Sequence, residues 1–275
     1  MPPKSEMTPT DPLRLDVALV CPEGDAYAFA SDEPSQTQRC PNHDLVLEPA
    51  DRHLEAWRRI NDRNGGQAWF MLGNVFESSA EYAQAEEAYR EASALGHGVA
   101  ARNLGNVLHE GGNLAGAEDA YRRSADLADA RGAFNLAVIL ERGGRPASEV
   151  ESAYERAEQL GSAPAAFQLG TILQARGECD RAVEKFRLAA ARGDARGAFN
   201  VAVLAAEQGD LDEAESAYRE AFSAGMEEAG INLAFLYEDA GSPERALELF
   251  NLATSSSRND IAEHGRSGVA RLGGT

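Results

Sequence analysis

The sequence predicts an all-helical protein, a stack of six helix pairs preceded by a small β-rich segment. Three observations predict it. One apolar position recurs as Leu72, Leu104, Leu136, Leu169, Val201 and Leu233, at intervals of 32, 32, 33, 32 and 32 residues. A small residue follows each of them: Gly73, Gly105, Ala137, Gly170, Ala202 and Ala234. Seventeen residues after the apolar position, or eighteen in the third copy, stands an aromatic: Tyr89, Tyr121, Tyr154, Phe186, Tyr218 and Phe250. A fixed period of this length marks units that cannot bury both faces of their helices alone and therefore stack.

Each copy reads as two helices around a break. In the second copy AARNLGNVLHE carries apolar or small residues at helical spacing, Gly111-Gly112-Asn113 interrupts, and LAGAEDAYRRSADLA resumes the period. Later copies break at Gly143-Gly144, Arg176-Gly177, Gln208-Gly209 and Ala240-Gly241. Start signals follow the glycines. Asp210 with Glu213 three residues on forms a capping-box pattern, and Ser242-Pro243 sets a cap residue before a proline at the first helical position. The extra residue of the third copy falls near Arg145-Pro146, in a turn, where insertion is cheapest. The small residue after each apolar position lets the two helices approach, and the aromatic is expected to fill the groove against the next repeat.

Trp69, Leu72, Gly73, Phe76, Ala85, Tyr89 and Ala92 resemble the tetratricopeptide repeat consensus in kind and spacing, and the resemblance extends over residues 66–258. It implies a right-handed superhelical solenoid of six repeats whose concave face is lined by the first helix of each pair. The chain departs from the family in lacking the proline that ends each repeat and in its 32-residue period.

The flanks read differently. Residues 1–14 are polar and proline-rich, the composition of a disordered segment. Within 15–50, LDVALV, DAYAFAS and DLVLE have strand composition. Residues 51–65 read as an N-terminal capping helix with Leu54, Trp57 and Ile60 on one face. Residues 259–275 read as a C-terminal cap through Ile261, Val269 and Leu272.

The β-rich segment also holds Cys21-Pro22 and Cys40-Pro41, with His43 completing Cys-x-x-His. This resembles a degenerate zinc ribbon. Two thiolates, one imidazole and the Asp25 carboxylate would close a structural zinc site with no open position. Gly24 occupies the place of the usual ligand, so a ribbon that has lost its metal is the competing reading, and a Cys21–Cys40 disulfide is a third.

The net charge of −19 repels phosphate backbones and argues against nucleic acid as a partner. No apolar run is long enough for a membrane helix, and the N-terminus has no secretory pattern, so a cytoplasmic location is expected. No constellation of catalytic residues emerges. His109-Glu110 has Asn113 where a second histidine would bind zinc, and Cys179 has no histidine neighbour in sequence. The chain reads as a binding protein rather than an enzyme.

The functional signal lies directly before the repeating apolar residue, where Met71, Asn103, Asn135, Gln168, Asn200 and Asn232 recur. Asparagine is a poor helix former, so propensity gives no reason for the column. Carboxamides there offer a donor and an acceptor each to an extended peptide backbone. The column resembles the asparagine ladder of O-GlcNAc transferase repeats, which implies main-chain binding on the inner surface. The alternative is that each asparagine bonds the neighbouring repeat's backbone and locks the stacking. Arg131 and Arg196 recur four residues before the column, Asn74 and Asn106 three after it, and Arg102 stands one before it. Arg102, Asn106, Asn135 and Arg131 partly resemble a carboxylate clamp. The expected function is an adaptor that binds an extended or partly acidic protein segment in the groove. The alternatives are a module docking a basic partner on its acidic exterior and a metal-dependent regulator acting through the N-terminal segment.

Overall fold

Glycines and capping side chains cut the chain into short helices of similar length. The computed structural model describes residues 15–20, 26–30, 48–49 and 66–273, with side chains over 66–273. The chain divides into two compact units, Met1–Gly143 and Gly144–Thr275.

In the first unit β1 (Leu15–Val20) lies between β2 (Ala26–Ala30) and β3 (Glu48–Pro49) in an antiparallel sheet of order β2-β1-β3. The register runs from Val17↔Phe29 to Val20↔Ala26 on one side, with Val20↔Glu48 on the other. The helices are α1 (Gln67–Ser78), α2 (Tyr82–Ala94), α3 (Gly98–Glu110), α4 (Leu114–Asp126) and α5 (Ala130–Arg142). The second unit contains α6 (Ala147–Gln159), α7 (Ala163–Ala175), α8 (Cys179–Ala191), α9 (Ala195–Gln208), α10 (Leu211–Ser223), α11 (Glu227–Asp239), α12 (Pro243–Ala253) and α13 (Asn259–Gly273). The third pair is thus shared, α5 in one unit and α6 in the other. The division falls in the one turn that carries an extra residue. Residues 1–14 and 50–65 lie outside the described part, and so do the expectations placed on them.

Local chemistry accounts for the boundaries. Asn113 Oδ1 accepts from Gly116 N at 3.0 Å, Ser162 Oγ from Ala165 N at 3.3 Å and Asp210 Oδ1 from Glu213 N at 3.1 Å, each satisfying an end amide that has no helical acceptor. Ser242, read from the sequence as a cap, makes no such bond. Pro243 alone marks that start, where its missing N–H costs nothing. Gly209 ends α9 with φ 81°, a left-handed conformation that side chains resist. Cys179 is the half-buried first residue of α8.

The repeating small residues are where rings sit. A Cβ on Gly73 would lie 2.5 Å from the Tyr89 ring, one on Gly105 2.4 Å from Tyr121 and one on Gly170 2.6 Å from Phe186. Each aromatic therefore covers the glycine of its own pair, not only the groove toward the next. Burying such a ring contributes about 1.5–3 kcal/mol. Successive pairs meet through a second set of glycines. A Cβ on Gly197 of α9 would lie 2.3 Å from the Phe186 carbonyl oxygen of α8, so backbone packs on backbone there.

Each unit has its own core. Trp69, Leu72, Tyr89, Leu104, Leu108 and Tyr121 cluster in the first, and Leu173, Phe186, Val201, Tyr218, Leu233 and Phe250 in the second. Helix α13 closes the second core. Ile261, Ala262, Gly265 and Gly268 are buried against it while Glu263, His264, Arg266 and Ser267 face water.

Candidate functional site

The carboxamide column sits on the first helix of each pair, and the two units use it differently. In the first unit Asn103 Nδ2 donates to Asn74 Oδ1 at 3.4 Å, and the same oxygen accepts the Tyr89 hydroxyl at 2.7 Å. One pair further on the arrangement repeats. Asn135 Nδ2 donates to Asn106 Oδ1 at 3.3 Å, and Tyr121 donates to that oxygen at 2.9 Å. Burial pushes both phenols above their ordinary value, so they stay neutral donors. Each ladder amide thus reaches back one pair, to a side chain rather than to backbone.

In the second unit Asn232 Nδ2 lies 3.5 Å from the Tyr218 hydroxyl. Gln168 and Asn200 are half-buried and have no hydrogen-bond partner among the described residues. The bonds of the first unit run from each column amide to the asparagine three residues after the column in the preceding copy, and for Gln168, Asn200 and Asn232 that place in the sequence is taken by Val138, Thr171 and Val203. Valine offers no acceptor, and Thr171 turns its hydroxyl to the Phe167 carbonyl at 3.2 Å.

The phenylalanines before the column pack on the aromatic of their own pair. Phe167 meets Phe186 with ring centroids 5.6 Å apart, and Phe199 meets Tyr218 at 5.8 Å. Both keep part of their surface in water. The arginines are engaged as well. Arg196 pairs with Asp194 through bonds of 2.8 and 2.6 Å and lies over the Phe167 ring at 4.2 Å, joining α9 to α7. Arg102 lies 3.5 Å from Asp129, which also caps α5 through the Gly132 amide at 2.6 Å. Arg131 is exposed and has no ion-pair partner among the described residues. Of the clamp residues, Asn106 and Asn135 are joined by a hydrogen bond and Arg102 is neutralised by Asp129, while Arg131 stands exposed on α5. Cys21, Asp25, Cys40 and His43 lie outside the described residues.

Sequence reading missed two features. Arg219, Glu215 and Arg245 converge on Tyr237, whose hydroxyl donates to Glu215 at 2.9 Å while the Arg245 guanidinium stacks on the ring at 3.8 Å. These residues tie α10, α11 and α12 together, and their distance in sequence hid them. Grooves of about 460 and 350 Å³ also lie between successive second helices, floored by Leu104, Leu108 and Ala120 in one unit and by Ala190, Val201 and Ala217 in the other.

In the second unit ion pairs join the fourth helix pair to α6 and the sixth pair to the terminal helix and the residue before it. Arg176 holds Glu151, Arg258 holds Glu228 and Arg271 holds Glu238, each keeping its carboxyl below the ordinary 4.5 through hydrogen bonds and charge. A depressed carboxyl stabilises the fold above its unfolded value, and that contribution fades as pH falls through the folded one. The second unit should therefore loosen first on acidification. Trp69 belongs to the first unit, so in a Trp57→Phe variant its fluorescence change should trail the loss of helical circular dichroism. The gap should be modest and vanish at high salt, since these pairs are exposed; coincident curves at low salt would refute it.

Residues 70–131 and 167–229 match the tetratricopeptide repeat family. The helix pairs within these two stretches resemble tetratricopeptide repeats. Solved structures agree on the fold. A protective antigen of uropathogenic Escherichia coli, c5321, which displays an SLR fold, superposes with a TM-score of 0.62 at 24% identity over 80% of this chain and 51% of that one. This chain thus spans about half the length of that antigen. A Sel1 repeat protein from Oxalobacter formigenes gives 0.56 at 21% identity, covering 76% of this chain and 94% of that one. PilF of Pseudomonas aeruginosa gives 0.55 at 17% identity, covering 75% and 99%. No curated protein sequence matches the chain. No helix among the described residues is long and apolar enough to cross a membrane.

Proposed function

We propose that this tetratricopeptide-like chain is a non-catalytic, cytoplasmic interaction scaffold that holds an extended segment of a partner protein along the first helices of its second unit. The observation that carries the reading is the pair Gln168 and Asn200, half-buried on successive first helices without a partner among the described residues. A carboxamide in that position loses hydration and recovers it only by bonding something else. A peptide main chain fits, because it presents one donor and one acceptor per residue. The half-exposed Phe167 and Phe199 beside the amides supply an apolar surface for the segment's side chains. In the first unit, Asn103, Asn135 and Asn106 hold the stacking, Arg102 braces it through Asp129, and Arg131 is free to meet an acidic group on the partner. Asn232 and Arg196 flank the reading positions and orient them.

Affinity capture from the native lysate tests this. Wild type is compared with Gln168→Ala/Asn200→Ala after circular dichroism shows both folded. Loss of the captured partner is the expected result. Capture that is unchanged in the variant and collapses with added salt would move recognition to the acidic exterior, as expected for a basic partner.

A further inference from the structure

The first helices of the third, fourth and fifth pairs begin at Asp129, Ser162 and Asp194, whose side chains accept end amides. The second pair uses a histidine for the same task. Ala100 N donates to His97 Nδ1 at 3.1 Å, and the other ring nitrogen, Nε2, lies 3.0 Å from Gln67 Oε1 on α1. The ring stacks on Phe70 of α1 with centroids 4.5 Å apart and planes tilted by 19°. One imidazole therefore caps α3 and clasps α1.

An amide can only donate, so Nδ1 must be the bare nitrogen and Nε2 must carry the proton. The neutral ring is fully satisfied in that tautomer. Adding a proton places an N–H of the ring against the N–H of Ala100, removes the cap, and sets a positive charge at a helix N-terminus. Stacking of the cation on Phe70 returns part of that loss. We propose that His97 is a pH-sensitive latch between the first and second helix pairs, closed by the neutral imidazole and released by its protonation.

The charged groups on the packed elements do not counter this. Glu77 of α1 bonds Tyr89, and Arg123 of α4 bonds the Ser93 and Ala94 carbonyls. Arg102 of α3 faces Asp129, and Glu91 of α2 shares no bond or ion pair with the ring among the described residues. Burial, the larger influence, draws the imidazole below its ordinary 6.5, against an opposing backbone hydrogen bond. The sign follows. The latch is fully closed above the ordinary histidine value and opens as pH falls through the lower, folded-state value.

Hydrogen exchange at single amides tests the proposal. Between pH 8 and pH 5, after correction for intrinsic rates, Ala100 should lose about tenfold in protection relative to Gly132, which is capped by the Asp129 side chain instead of an imidazole. His97→Asn, which caps without titrating, should abolish the change. Nitrogen chemical shifts of the His97 ring should show the Nε2–H tautomer at pH 8 and titration below the ordinary histidine value. Ala100 protection that tracks Gly132 in wild type, an equal loss in His97→Asn, or the Nδ1–H tautomer would each overturn it.

Discussion

Gly197→Val should lower the stability of the second unit by about 3 kcal/mol, the upper end of what overpacking costs. A Cβ there would lie 2.3 Å from the Phe186 carbonyl oxygen and 2.7 Å from the Ala190 amide nitrogen, atoms of a neighbouring helix backbone. No rotamer change relieves that clash, so α9 must move off α8 and open the core around Phe186 and Val201. The gain in helix propensity over glycine is under about 1 kcal/mol and leaves the sign unchanged. Gly105→Ala should be milder, about 1 kcal/mol, because its Cβ meets only the Tyr121 ring and alanine already stands at the equivalent positions 137, 202 and 234. Urea titration measures both. Equal costs at 197 and 105 would show that the backbone contact does not set the spacing of the pairs.

Gln168→Ala/Asn200→Ala should lower partner affinity at least about tenfold while changing stability by less than about 0.5 kcal/mol. Asn106→Ala should do the reverse. Gln168 and Asn200 bond nothing among the described residues, so their truncation leaves no orphaned group inside the fold. Asn106 Oδ1 is the shared acceptor of Tyr121 and Asn135, so its removal strands two donors and should cost about 1–3 kcal/mol. Titration calorimetry with the captured partner, beside denaturation of the same variants, separates binding from folding. A stability loss in the double variant as large as that of Asn106→Ala would place all these amides in stacking alone.

The period of 32 residues makes the helix pairs legible in the sequence, because six aligned copies of an apolar, a small and an aromatic residue fit no other arrangement. The column of carboxamides was legible too, but its hydrogen bonding was not. Whether Asn135 is occupied depends on Asn106, a residue 29 positions away that becomes a neighbour only through stacking. The signal was present in the sequence as asparagine three residues after the column in the first two copies only. The arginines misled for a related reason. Arg102 and Arg196 read as a basic lining, while Asp129 and Asp194, placed as caps, neutralise them. The His97 latch and the Tyr237 cluster depend wholly on contacts between pairs, which periodicity does not encode.

Site-specific photocrosslinking tests the central claim most directly. A photoreactive side chain is placed at Thr171 or Val203, three residues after Gln168 and Asn200, or at Glu220 on the second-helix side of the same unit. Bound partner should crosslink at 171 and 203 and not at 220, with contiguous partner residues joined to the two sites in one chain direction. Crosslinks confined to 220 would contradict the account and assign recognition to the outer helices.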